Sequence, residues 1–106
     1  MRDTDVIIYG LINHNDKITR QFFYQNCRPL LYKLIGRIFS THVDYDELIN
    51  ELYLHLMEDD ARRLRSYNGD SSIYFWMKKV AYNFFLDLKL HHRVIENESS
   101  DRLYEK

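Results

Sequence analysis

The sequence predicts an all-α fold, a compact bundle of about four to five helices, and three observations lead there. Only three Gly and one Pro in 106 residues leave few turn signals for a sandwich or a barrel. Charged residues make up 29%, which suits helices with wet faces. Apolar residues recur at spacings of three and four along most of the chain. With 45% hydrophobic residues the chain can fill a modest core without staples, which excludes a disordered segment and a disulfide scaffold. One domain is expected over residues 1–93, followed by a polar linker or tail over 94–106.

Residues 4–13 read as a short helix capped by Thr4 and ending near the Asn13-His14-Asn15-Asp16 turn. A second helical stretch runs from about Lys17 to Phe39. Its apolar residues Ile18, Phe22, Phe23, Leu30, Leu31, Leu34, Ile35 and Ile38 belong to the core, and Pro29 starts or kinks a segment. A third helix spans Asp44 to Glu58, with Asp44 as cap and Glu47 placed to reach back as in a capping box. At about 100° per residue, Tyr45, Leu48, Ile49, Leu52 and Leu56 share one face, and Glu47, Asn50, Glu51, Leu54 and Glu58 the opposite one. Leu54 among those polar residues has the pattern of an apolar anchor with a polar rim.

Asn68-Gly69 then signals a turn, and Asp70 or Ser71 can cap a last helix from about Ser72 to Leu90. Its wheel puts Ile73, Met77, Val80, Phe84 and Leu88 on the core side, with Trp76 and Ala81 at the flanks. Opposite lie Phe75, Lys78, Lys79, Tyr82, Leu86, Lys89 and Arg93. Aromatics interleaved with cations can stack bases and neutralise phosphates.

The net charge of −1 conceals strong segregation. Residues 41–60 hold seven acids and no Lys or Arg, whereas 61–93 hold seven bases and two acids. An acidic surface beside a basic one fits two different partners. No membrane span or signal peptide is apparent, and the lone Cys27 points to a reducing compartment, so a cytoplasmic protein is expected.

Catalytic chemistry finds little support in the residues. The five histidines lack metal-ligand spacing, one Cys cannot build a Cys-rich zinc site, and Gly10, Gly36 and Gly69 form no phosphate loop. Asp59-Asp60 reads as a solvated helix end. Neither an enzyme nor a bound cofactor or metal is expected, and the function is sought in binding.

The run Asp44-Tyr45-Asp46-Glu47-Leu48-Ile49-Asn50-Glu51-Leu52-Tyr53-Leu54 resembles the D-A-E-D-L-V-Q-E-V-F-L signature of bacterial sigma factors. Further on, Tyr67-Asn68-Gly69-Asp70-Ser71-Ser72-Ile73-Tyr74-Phe75-Trp76-Met77-Lys78-Lys79-Val80-Ala81-Tyr82-Asn83 is similar to that family's F-x-G-x-S-S-F-x-x-W-L-x-x-I-A-x-N. Asp87-Leu88-Lys89 stands where D-x-[LI]-R is usual. The resemblance runs from Lys17 to Arg93 and is to the small extracytoplasmic-function group.

It implies the helical domain called region 2, which docks on the clamp helices of the polymerase β′ subunit and opens promoter DNA at the −10 element. By position, Asp46, Glu47, Asn50, Glu51 and Leu54 would face core RNA polymerase. The loop Tyr67, Asn68, Gly69, Asp70, Ser71 and Ser72 would hold a base flipped from the non-template strand, with Asn83 lining its pocket and Trp76 supporting the loop from the core. Lys78, Lys79, Tyr82, Lys89 and Arg93 would track the strand backbone.

Asn50 replaces the usual Gln, and Lys89-Leu90-His91-His92-Arg93 replaces an arginine-rich end, which lowers DNA affinity or lets it rise as the histidines protonate. Nothing after Arg93 forms the family's second DNA-reading domain, region 4. Both an excised domain and a short relative fit that. The alternative function is an interaction module that binds polymerase or an anti-sigma regulator without opening DNA.

Overall fold

The computed structural model describes residues 3–40 and 42–92, and among them every regular element is helical. The expected all-α bundle is what forms. Arg93 and the expected tail over 94–106 lie outside the described residues.

Helix α1 (Asp3–Ile12) begins before the expected Thr4 cap, with Asp3 and Asp5 in its first turn, where carboxylates suit the helix dipole. It ends in a turn through His14, whose φ of 60° is left-handed. At Gly10 an added Cβ would lie 2.5 Å from the Ile18 side chain, so only glycine lets α1 and the next element approach this closely.

The expected long second helix is three segments. Helix α2 (Asp16–Ile18), capped by Asn15 Oδ1 accepting from the Ile18 amide, runs into a π-helical segment (Thr19–Asn26). That segment closes with the Cys27 amide donating to the Phe22 carbonyl at 2.9 Å, and its wide turn brings Phe22, Phe23 and Cys27 all into the core. Helix α3 (Arg28–Ile38) follows, and Pro29 sits in its first turn, where its missing N–H is not needed.

Helix α4 (Tyr45–Arg65) opens as expected, with Asp44 Oδ1 accepting from the Glu47 amide. It outruns the expected end at Glu58, but not as one rod. Glu58 is extended, and Asp59, Asp60 and Ala61 have left-handed φ of 55° to 57° before the final turn. Ala61 and Leu64 are buried on the far side of this kink, and three arginines stitch it. Arg62 pairs with Asp59, Arg65 donates to the Asp60 carbonyl at 2.6 Å, and Arg63 donates to the His55 carbonyl at 3.2 Å.

Helix α5 (Ile73–Asp87) is capped by Ser72, not by Asp70 or Ser71, because Ser72 Oγ accepts from the Phe75 amide. It continues as a π-helical segment (Leu88–His92). Its buried stripe is Ile73, Met77, Ala81 and Phe85, rotated from the expected one, with Val80, Phe84 and Leu88 half-buried at the edge. The missed Phe85 is fully enclosed and meets Phe39 edge-on.

Helix α5 packs on α3, and α1 packs on α4. The shared core of Phe23, Leu31, Ile35, Leu48, Leu52, Leu56, Leu64 and Met77 turns the opposite sides of α4 and α5 to solvent.

Candidate binding faces on α4 and α5

On α4 the outer face carries the five residues expected there, Asp46, Glu47, Asn50, Glu51 and Leu54, all exposed. Leu54 is 53% exposed, a large side chain that the core does not use. The polar members divide into two kinds. Asp46 Oδ1 lies 2.9 Å from the Arg28 guanidinium and accepts from the Tyr32 hydroxyl at 2.9 Å. That hydrogen bond, reinforced by burial, holds the Tyr32 proton above its ordinary range. Asn50 Oδ1 accepts from the Tyr24 hydroxyl at 2.9 Å. These bonds tie α4 to the π-helical segment and α3. Glu47 and Glu51 project without a side-chain partner among the described residues.

The loop before α5 is preshaped. Asn68 Oδ1 accepts from the Asp70 amide at 3.0 Å, Gly69 supplies the left-handed φ of 85°, and the Tyr67 hydroxyl donates to the Ser71 carbonyl. The Tyr67 ring meets Trp76 edge-on at 5.5 Å between centroids, so half-buried Trp76 couples the loop to α5.

Beside that contact lies a cavity of about 480 Å³ lined by His55, Arg63, Ser66, Trp76, Val80, Asn83, Phe84 and Asp87. Asn83 therefore does border a pocket, whereas residues 67–72 are not part of its lining. His55, 20% exposed, stacks at 4.5 Å on Phe84 and lies 3.6 Å from Glu58. Burial, with help from the Arg63 charge, pushes its pKa below the ordinary histidine value and favours neutral imidazole. Arg63 is balanced by Glu58 at 3.4 Å, so the cavity suits a neutral planar group with hydrogen-bonding edges better than a free phosphate.

A second cleft, about 340 Å³, opens on the outer face of α5 between Leu34, Phe75, Lys78, Lys79, Tyr82 and Asn83. It brings four of the expected residues together, Lys78, Lys79, Tyr82 and Asn83, with Phe75, which the helical wheel puts on this face and which is 55% exposed with the Lys79 ammonium 5.9 Å from its ring centre. Lys89 does not join them. It is half-buried, and its ammonium donates to the Ile38 carbonyl at 2.7 Å, closing the end of α3. Arg93 lies outside the described residues.

Of the cavity residues, the sequence signal identified Trp76 and Asn83 but not His55 or Arg63, which face each other across the kink at residues 58–61. Cys27 is enclosed, and burial pushes its thiol up to about 12, far from reactive. No group of three metal-ligating side chains forms among the described residues, nor is any helix there long and apolar enough to cross a membrane. Compared with protein-family models, curated proteins and solved structures, the chain matches none.

Proposed function

We propose that this chain is a cytoplasmic transcription-initiation domain of the sigma-factor type, binding core RNA polymerase through α4 and single-stranded promoter DNA through α5. Glu47, Glu51 and Leu54 dock on the β′ clamp helices, while Asp46 and Asn50 act from fixed positions. Lys78 and Lys79 neutralise phosphates, Phe75 and Tyr82 stack bases, and the cavity at Trp76 and Asn83 receives one unstacked base of the −10 element. Strand opening needs no catalytic group. Capturing an unstacked base offsets the few kcal/mol spent unstacking it.

The observation that supports this most is the outer face of α5, where two exposed aromatics flank two lysines that have no carboxylate partner among the described residues. A second reading, an interaction module that binds polymerase or an anti-sigma regulator without opening DNA, draws support from Lys89. Its engagement with Ile38 removes one of the expected phosphate contacts.

Anisotropy of a labelled single-stranded oligonucleotide tests the DNA face. The double variant Lys78→Glu, Lys79→Glu is expected to weaken binding at least tenfold and to lower the slope of log affinity against log salt by about 1.4. Unchanged affinity and slope would remove DNA from α5 and leave the interaction module.

A further inference from the structure

We infer that two copies of this chain bind each other, the outer face of α4 on one copy docking on the outer face of α5 on the other. On α4, Glu47, Glu51 and Leu54 stand at i, i+4 and i+7 and form one exposed stripe. On α5, Phe75, Lys78, Lys79 and Tyr82 cover the same interval, so at 1.5 Å per residue both stripes are about 10 Å long.

Their chemistry is complementary at the apolar anchor and at Glu51, with Glu47 one turn further along. Leu54 is an exposed apolar knob, and the α5 cleft has apolar walls from Leu34, Phe75 and Tyr82. Seating Leu54 on Phe75 in one crossing direction, or on Tyr82 in the other, sets Glu51 beside Lys78 and Lys79 in both. None of Glu47, Glu51, Lys78 and Lys79 has an ion-pair partner among the described residues, so the contact breaks no existing ion pair. Both stripes are exposed, so they do not meet within one copy. A net charge of −1 offers almost no long-range repulsion between copies.

One stripe on one stripe falls in the small, transient class of interfaces. The association is therefore weak and sensitive to salt. It covers the two faces assigned above to polymerase and DNA, and so opposes both, but it does not rest on that assignment because its test contains neither partner.

Sedimentation velocity of the full chain reads it directly. At low salt the weight-average sedimentation coefficient rises with concentration up to about 500 μM, and at about 0.5 M salt the rise is lost. Two charge-reversed variants supply the decisive arm. Glu47→Lys with Glu51→Lys has two basic faces, Lys78→Glu with Lys79→Glu has two acidic ones, and each alone stays monomeric. Mixed in equal amounts they associate, because each reversed face now complements the other variant. A wild-type chain that stays monomeric throughout, a variant that associates alone, or a mixture that stays monomeric while circular dichroism shows both folded would each overturn the contact.

Discussion

The outer faces of α4 and α5 differ in how much of their chemistry the fold has already fixed. On α4, Asp46 and Asn50 are held by Arg28, Tyr32 and Tyr24 while Glu47 and Glu51 have no side-chain partner among the described residues, so a partner meets two fixed polar groups and two free carboxylates around a single apolar knob, Leu54. On α5, Lys78 and Lys79 are long side chains without carboxylate partners among the described residues, set between exposed rings. A pre-organised face loses little entropy on docking and suits one specific protein surface. Rings beside exposed lysines suit a ligand of variable sequence, because every base has a face to stack and every nucleotide a phosphate to neutralise. Charge density in the sequence alone would have ranked the two faces as equals of opposite sign.

The contrast between inner and outer aromatics on α5 is the largest effect to probe. Phe85→Ala is expected to cost about 3–5 kcal/mol of stability, whereas Phe75→Ala costs less than about 0.5 kcal/mol. Thermal unfolding of the pair measures it, and similar losses would erase the distinction between the two sides of the helix. Trp76→Ala falls between them at about 2 kcal/mol, because it removes the half-buried ring that holds Tyr67 and the loop. An unchanged melting temperature would place the indole outside the fold's support.

A smaller effect separates α4 from α5 through the histidine between them. The folded state holds the His55 pKa below its unfolded value, so near pH 6 the unfolded chain binds more protons. The resulting stabilisation is fully present above about pH 6.5 and is lost as pH falls through the lower folded value. Melting temperatures from pH 7.5 to 5 should decline less steeply in His55→Gln. Identical slopes would mean that His55 titrates as it would in water.

Smallest of all, Asp60→Gly removes a Cβ from a left-handed residue at φ 57°, at the cost of an exposed 3.3 Å pairing with Arg65. It should raise stability by about 0.5–1 kcal/mol in chemical denaturation. A decrease would show that the Asp60 side chain, not the backbone conformation, holds the kink within α4.

Much of this fold was legible because helical periodicity reports burial directly. Leu48, Ile49, Leu52 and Leu56 are buried as their spacing predicts, and Leu54 projects outward. Two features escaped for the same physical reason, a departure from the 3.6-residue repeat. The π-helical turn at Thr19–Asn26 widens the repeat, and the reversal at 59–61 uses non-glycine residues in a conformation that propensity disfavours. The site followed suit. Lys78, Lys79, Tyr82 and Asn83 gather because a regular helix brings them together, but Arg63 joins His55 at the cavity from beyond the kink at residues 58–61. Lys89 looked like a free cation in sequence, and only the packing of α5 on α3 reveals the Ile38 carbonyl it serves.

The most direct test of polymerase docking on the outer face of α4 is a titration of purified bacterial core RNA polymerase with the wild-type chain and with Leu54→Glu. Saturable binding by the wild type, abolished in a variant whose helical circular dichroism is unchanged, is the predicted result. Absence of wild-type binding at about 10 μM, or equal binding by both proteins, would contradict it.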